Sequence, residues 1–206
     1  MADSYVLYVD GFNLYHGLHD KSGHADLWLD LVMLAKRLRP RSDLVAVRYF
    51  TAPVLNDPGA ASRQSDYLAA LAAHGGSKIE IIQGRYQAKV MRCRKCGAGW
   101  TQYEEKETDV NIAVSLVADA ASGSTDAALL LSADSDLAPA VRMARRVNPH
   151  LFIAAAFPPK RFSAELQNLM PRSFHLGMSK IRSSQLPETV TDVTRGVSWS
   201  RPAKWT

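Results

Sequence analysis

The sequence predicts an α/β domain with a mostly parallel sheet, because short apolar strands alternate with helical segments along most of its 206 residues. The first predicted strand, residues 5–9, is rich in β-branched and aromatic residues and stops at Asp10-Gly11. A later apolar run, residues 129–131, is typical of a strand that is buried on both faces. A chain of this length forms one good-sized domain with appendages, or at most two small domains.

The other elements follow from hydrophobic spacing and from the prolines and glycines that end it. A helical turn opens at Phe12. Residues 108–121 are apolar nearly all round, so we expect this helix to lie deep against the sheet, with Thr108 as its N-cap. Further strands are expected at 44–50, 78–83, 151–156 and 173–176, and further helices at 29–38, 60–74, 137–146 and 162–169.

The composition is that of an ordinary globular protein, with 47% hydrophobic and 22% charged residues. No apolar run approaches membrane length, and the N-terminus lacks the basic and hydrophobic parts of a secretory signal. We therefore expect a cytoplasmic protein with no membrane partner. The net charge of +5 modestly favours a polyanionic partner. The sequence contains neither a Gly-rich dinucleotide-binding turn nor a P-loop, which argues against nucleotide-cofactor enzymes of those types.

Residues 85–104 interrupt the alternation of strands and helices, and we expect them to form an inserted β-hairpin. Its arms, 85–92 and 100–104, enclose a short turn that contains two cysteines. The hairpin is basic and has interleaved aromatic residues, so it is either a cationic arm that binds nucleic acid or a charged, solvated hairpin. The candidate substrate-binding cations are Arg85, Lys89, Arg92, Arg94, Lys95 and Lys106.

Cys93 and Cys96 have the spacing of a zinc knuckle, but a structural zinc ion needs four ligands and the sequence has no second cysteine pair. Histidine from elsewhere, or a second copy of the chain in a homo-oligomer, would have to complete such a site. Free thiols at the tip of the hairpin are the alternative.

Hydrophobic periodicity fails from Lys180 onward. We therefore expect one domain at residues 1–178, which carries the hairpin, and a basic tail at 179–206 with Trp199 and Trp205. The sequence leaves three roles open for this tail: it covers substrate, binds a partner or packs against the domain.

Four aspartates lie where predicted strands or loops lead into helices. Asp10 ends the first strand, Asp134 and Asp136 follow the buried run, and Asp109 lies in the first turn of a helix. In a parallel sheet such junctions lie along one edge, where neighbouring carboxylates repel each other unless a cation lies between them. Hard divalent cations prefer oxygen ligands. The structural alternative is that Asp136 is only an N-cap and Asp134 only a loop acid. Asp109 would then only interact with the helix dipole.

Three segments carry these acids and also carry a family resemblance. They are Val9-Asp10-Gly11-Phe12-Asn13-Leu14-Tyr15, Glu105-Lys106-Glu107-Thr108-Asp109-Val110-Asn111-Ile112-Ala113 and Leu131-Ser132-Ala133-Asp134-Ser135-Asp136-Leu137. In order and spacing they resemble the motifs of the NYN domain, a group of PIN-like metal-dependent ribonucleases. The hairpin with its Cys-x-x-Cys turn is similar to an insertion of some bacterial members.

The resemblance implies a Rossmann-like three-layer α/β/α sandwich, PIN-like in type, whose acidic edge binds Mg²⁺ or Mn²⁺ and cuts RNA. By motif position, the implied metal-binding and catalytic acids are Asp10, Asp109, Asp134 and Asp136. Asn13 is implied as a further catalytic residue and Ser132 as a residue on the substrate side.

The implied chemistry is hydrolysis of a phosphodiester by water, for which bound divalent ions neutralise the negative charge that the carboxylates would otherwise repel. Four acids suffice for two ions or for one ion and a water-orienting carboxylate, and the sequence does not choose between them. Two other functions stay open. One is a catalytically silent RNA- or protein-binding module on the same fold, and the other is a metal-dependent phosphatase of small phosphorylated molecules.

Overall fold

A six-stranded sheet forms the centre of the computed structural model, which describes residues 3–206 apart from the side chains of Gln102 and Glu105. The strand order is β3-β2-β1-β6-β7-β8, and each neighbouring pair is parallel. The strands are β1 (Ser4–Asp10), β2 (Asp43–Thr51), β3 (Ile79–Gln83), β6 (Ala127–Leu131), β7 (Phe152–Phe157) and β8 (Phe174–His175). The predicted mixed α/β fold with a mostly parallel central sheet is confirmed.

Helices cover both faces of this sheet, which makes the three layers of the sandwich. They are α1 (Gly11–Ser22), α2 (Leu31–Leu38), α3 (Pro58–Gly75), α4 (Thr108–Ser122), α5 (Ala138–Val147), α6 (Ala164–Leu169) and α7 (Met178–Arg182). Alternate residues of β1 enter two different cores, as a strand buried on both faces requires. Leu7 and Val9 pack with α1, α2 and α3, whereas Val6 and Tyr8 pack with α4 and α5.

The chain order places a topological switch point beside β1. The chain runs from β1 outward through β2 and β3, and then returns to add β6 on the other side of β1. Val9 is in register with Leu131, so the ends of β1 and β6 lie next to each other. Open parallel sheets bind their ligands in the crevice at such a point.

The helix α4 differs from the prediction in two ways. Its N-cap is Glu107, which has a left-handed backbone with φ of 82° and makes no side-chain capping bond, so Thr108 is the first helical residue rather than the cap. The helix is also less deeply buried than its apolar sequence suggested, because Val110 and Val114 are 61% and 62% exposed. Only one stripe of α4 contacts the sheet and α5.

The hairpin forms a two-stranded antiparallel sheet of its own, made of β4 (Arg85–Arg92) and β5 (Gly99–Lys106). Its second arm runs two residues further than predicted. Trp100 and Tyr103 are half-exposed, which leaves aromatic surface available on this arm.

The C-terminal segment is folded, although its sequence shows no periodicity. It contains α7 and a second small hairpin, β9 (Thr189–Asp192) and β10 (Val197–Ser200), which packs on α3. Trp205 is buried against Trp28 and Tyr67, and the indole N–H of Trp28 donates to the carbonyl of Pro187 at 2.7 Å. Of the three roles left open for this segment, packing against the domain is therefore realised. Among the described residues, no helix is both long enough and apolar enough to cross a membrane.

Candidate active site

An open pocket of about 230 Å³ lies at the switch point, where β1 and β6 end. Three of the four aspartates singled out in the sequence line it together with an amide, an arginine and two aromatic residues. The lining residues are Asp10, Asn13, Asp109, Asp134, Phe12, His16 and Arg161.

Asp10 joins β1 to α1 and is only 4% exposed. It caps α1, because one carboxylate oxygen accepts the backbone N–H of Asn13 at 2.9 Å, and the other oxygen accepts the hydroxyl of Ser132 at 2.7 Å. Burial raises the pKa of Asp10, the nearby charge of Asp134 adds to this effect, and the two hydrogen bonds oppose it. Any cation that enters the pocket would therefore stabilise the ionised carboxylate of Asp10.

Glycine is required directly after Asp10. A Cβ on Gly11 would lie 2.5 Å from the carbonyl oxygen of Phe50 and 2.9 Å from the ring of Tyr49. Because Gly11 has no Cβ, α1 can start in contact with β2. The start of α1 then directs the amide of Asn13 toward β6.

The loop after β6 is tied to α1 by side-chain hydrogen bonds. The amide oxygen of Asn13 accepts the N–H of Ala133 at 3.0 Å, and the hydroxyl of Ser132 accepts the N–H of Asp134 at 3.0 Å. Ser132 is fully buried, so its hydroxyl serves Asp10 and the loop rather than the solvent. These bonds fix the positions of Asp10 and Asp134 relative to each other.

Asp109 and Asp136 occupy different positions relative to this pair. Asp109 lies in the first turn of α4, is exposed, and lines the pocket. Asp136 is exposed and is not among the lining residues. Asp136 is also not the N-cap at this junction, because Asp134 accepts the N–H of Asp136 at 2.9 Å and caps the 3₁₀ turn Ser135–Leu137.

Arg161 and His16 also line the pocket, and sequence reasoning did not select either of them. Arg161 donates to the carboxylate of Asp20 at 2.6 Å, while its Nε is buried with no hydrogen-bond partner among the described residues. Arg161 follows Pro158-Pro159, far from every acidic motif in the chain, so no local pattern could have indicated it. His16 follows the first motif directly, and its proximity to Asp10 was the available signal.

The donor set suits a hard cation that keeps part of its water. No group of three or more histidine, cysteine, aspartate or glutamate side chains is close enough to enclose a metal ion in the part of the chain that the structure describes. Mg²⁺, however, is usually held by one or two carboxylates, with waters and substrate phosphate oxygens completing the octahedron. Asp10 and Asp134, with Asp109 across the pocket, meet that smaller requirement.

The hairpin cations divide into two groups. At its base, Arg85 pairs with Glu107, while Lys89 and Lys106 both contact Glu104, at 3.2 and 3.0 Å. At its tip, Arg92, Arg94 and Lys95 are exposed and form no ion pair with any side chain that the structure describes. The cations of the tip are therefore the ones that remain available to an anionic partner.

The cysteine turn at the tip is a tight loop with both thiols free. The N–H of Gly97 donates to the carbonyl of Cys93 at 2.9 Å, and the N–H of Cys93 donates to the carbonyl of Ala98 at 2.8 Å. Backbone N–H groups of Cys96 and Lys95 lower the pKa of Cys93. Two thiols are half of the four ligands that a structural zinc ion needs.

A second and larger cavity, of about 370 Å³, adjoins the acidic pocket and shares Phe12 and His16 with it. Its walls come from α1, β2, α3 and the C-terminal residues, and they include Tyr49, Tyr67 and Trp205. We call it the aromatic cavity.

A parallel α/β sandwich with carboxylates at its switch point fits a nuclease-like protein. The chain belongs to the NYN domain family, whose model matches residues 4–177. The family is a group of PIN-like nucleases, which are generally dependent on divalent metal ions, and this supports a nuclease-type role.

Two individual proteins are also similar to this chain. The chain is 30% identical over 174 residues to 6-hydroxy-3-succinoylpyridine 3-monooxygenase HspA of Pseudomonas putida (strain DSM 28022 / S16), across 68% of this chain. The match spans 54% of the length of that relative. A crystal structure of a protein of unknown function, VPA0982 from Vibrio parahaemolyticus RIMD 2210633, has the same fold with a TM-score of 0.52. It is 16% identical, and the match covers 85% of this chain and 94% of that one.

Proposed function

We propose that this protein is a metal-dependent endoribonuclease that hydrolyses RNA phosphodiester bonds. The observation that carries the proposal is the meeting of Asp10, Asp109 and Asp134 around one open pocket at the switch point of the sheet. Membership of the NYN family supports a nuclease-type hydrolase with an RNA substrate.

Asp10 and Asp134 would hold Mg²⁺ or Mn²⁺, and Asp109 would face the ion from across the pocket. Such an ion, when bound, supplies charge neutralisation and an activated water. The exposed carboxylate of Asp136 stands outside the lining of the pocket, so Asp136 would reach the ion only through a bound water.

The other residues of the pocket position these acids or meet the substrate. Ser132 and Asn13 hold Asp10 and the Asp134 loop in place through their hydrogen bonds. Arg161 carries the positive charge of the lining, and we assign its guanidinium to a phosphate oxygen.

The hairpin would bind the RNA strand beside the pocket, since β5 leads through Glu107 directly into the helix that carries Asp109. Arg92, Arg94 and Lys95 are the proposed phosphate contacts, and Trp100 and Tyr103 offer faces on which unpaired bases stack. The paired cations Arg85, Lys89 and Lys106 would serve mainly to hold the hairpin and its base together.

The deciding experiment is a cleavage assay with structured and unstructured RNAs in Mg²⁺, in Mn²⁺ and in EDTA, together with a small phosphomonoester. Metal-dependent cleavage within the RNA supports the proposal. Hydrolysis of the phosphomonoester alone would make the protein a phosphatase. RNA retained on a filter without cleavage, in each of the metals, would make it a binding module.

A second candidate function is the turnover of a small heteroaromatic compound. The aromatic cavity beside the acidic pocket favours it, because drug-sized ligands occupy apolar cavities of this kind. The relative from Pseudomonas is named for an activity on a substituted pyridine, and the match spans about half of its length. Depletion of pyridine compounds by the purified protein, followed by chromatography, tests this candidate.

We further propose that the protein acts in the cytoplasm and that residues 1–178 make up its nuclease domain, with residues 179–206 completing the core. For zinc, Cys93 and Cys96 would bind the ion only with two further ligands, which we assign to the same pair in a second copy of the chain.

A further inference from the structure

The aromatic cavity is enclosed by side chains that fix its shape. The rings of Tyr49 and Tyr67 have centroids 6.4 Å apart and are nearly perpendicular, and those of Tyr67 and Trp205 are 5.8 Å apart at 72°. The hydroxyl of Tyr67 donates to the carbonyl of Leu29 at 2.8 Å, so this ring cannot swing out of place freely. A cavity whose aromatic side chains are already held in place can bind a flat ring at little entropic cost.

The walls stay uncharged under ordinary conditions. Burial raises the pKa of Tyr49 to about 12 and that of Tyr67 well above its usual value. Gln64 is also satisfied, because its side chain accepts the N–H of Val54 at 2.8 Å and donates to the carbonyl of Ala52 at 2.9 Å. The interior of the cavity is therefore suited to a neutral, planar group.

The rim of the cavity is basic by contrast. His16, His24 and Arg63 line it, and the acid among the lining residues, Asp57, already accepts the N–H of Ala60 at 2.9 Å as the cap of α3. Partial burial lowers the pKa of His24, and the nearby positive charges of His19, Lys204 and Arg63 lower it further. Arg63 and Lys204 thus place positive charge at the opening, and this charge favours a ligand with a negative charge beside its flat ring.

From the flat interior, the basic rim and the lining shared with the acidic pocket, we propose that the aromatic cavity binds the base of a nucleotide whose phosphate lies on Arg63 and His24. The proposal rests on the proposed ribonuclease function, and it makes this nucleotide the neighbour of the one that is cut. Phe12 and His16 border both cavities, so one strand can pass over the first turn of α1 with a phosphate on one side and a base on the other.

Ala60 offers a way to fill the cavity without creating a hole. It lines the cavity from the first turn of α3, and a phenylalanine there would occupy the space of the base. Ala61, next to it on the same helix and outside the lining, provides the matched control. We expect Ala60→Phe to weaken binding of adenosine and uridine 5′-monophosphates by about tenfold or more, since stacking of one base has that value. Ala61→Phe should leave binding unchanged, and thermal unfolding shows whether both variants are folded.

Binding is measured by equilibrium dialysis in EDTA, so it requires neither metal nor cleavage. A second variant, Arg63→Ala, should weaken binding of the monophosphates but not of the free nucleosides, because it removes only the phosphate contact. In the cleavage assay, Ala60→Phe should raise KM for RNA with little change in kcat.

Three results would overturn the proposal. The first is equal nucleotide affinity in Ala60→Phe and Ala61→Phe, and the second is an equal loss of nucleoside and nucleotide affinity in Arg63→Ala. The third is tighter binding of nicotinate than of any nucleotide. The last result would assign the cavity to a free small molecule. Because dialysis is independent of turnover, nucleotides that bind to a protein without cleavage activity would refute the ribonuclease and retain the base site. Cleavage without nucleotide binding would refute the base site and retain the ribonuclease.

Discussion

The acidic pocket and the tip of the hairpin both present charged residues for a polyanion, but they hold them in different ways. In the pocket, Asp10 is nearly buried and is bonded to Ser132, which is 122 residues away in the chain. At the tip, Arg92, Arg94 and Lys95 are exposed and are placed by the end of β4 and by the turn that follows it. The pocket is built by the tertiary fold, whereas the hairpin is built by local pairing.

This difference predicts two kinds of response to mutation. Each acid in the pocket is fixed in one geometry, so the loss of one carboxylate or of its hydrogen bond should act strongly on catalysis. The cations of the tip act through water-screened charge, so their effects should be small individually, additive and sensitive to salt.

The largest effect is expected for Asp134→Asn. The change keeps the shape and the capping ability of the side chain but removes a carboxylate from the pocket, so cleavage should fall by roughly 100-fold or more. Asp136→Asn is the matched control, because Asp136 is exposed and outside the lining. Initial rates on a fluorescent RNA measure both variants. An equal loss in the two would show that the pocket lining does not define the ligand set.

The next effect is expected for Ser132→Ala. Removal of the hydroxyl leaves one oxygen of Asp10 without its donor, so activity should fall by about 10- to 100-fold and the free energy of unfolding by about 1–3 kcal/mol. Because the hydroxyl stabilises the ionised form, its loss should raise the pKa of Asp10 further and move the acidic limb of the pH–rate profile to higher pH. Ser132→Thr should restore much of the activity. An unchanged pH–rate profile would show that Ser132 does not affect the pKa of Asp10.

A smaller effect is expected when Arg92, Arg94 and Lys95 are changed together to alanine. RNA affinity should fall several-fold with kcat unchanged, and the slope of log K against log salt should become shallower by about 2 for three lost phosphate contacts on a single strand. The control removes three exposed cations elsewhere, Lys36, Arg37 and Arg146. Filter binding at four salt concentrations gives both slopes. Identical slopes would show that the tip of the hairpin does not contact the RNA.

The smallest effect on activity is expected for Cys93→Ser with Cys96→Ser, which should leave the cleavage rate within about twofold because the thiols lie at the solvent-exposed tip. If two copies share one zinc ion, the unmodified protein should contain one zinc per two chains. The double variant should contain no zinc and should be monomeric. Elemental analysis and sedimentation measure these quantities. A unit ratio of zinc to chain would contradict the shared site.

Much of the molecule followed from local sequence patterns. The strands, the hairpin and the motif acids are encoded by periodicity, by β-branched residues and by the turn residues that end each run. The exposure of α4 did not follow, because Val110 and Val114 belong to an apolar segment whose burial depends on how many layers cover it. The C-terminal segment did not follow either, since its hairpin is stabilised by contacts with α3 and not by a pattern of its own.

The sequence by itself determined the α/β class and the order of the elements, because hydrophobic spacing and turn chemistry act over a few residues. Only the tertiary structure decided that Asp10, Asp109 and Asp134 share a pocket while Asp136 stays outside it. It also decided that Arg161 and Trp205 complete two adjoining cavities. Asp10 and Asp134 come from distant parts of the chain, and the parallel pairing of β1 with β6 brings them together rather than any local preference.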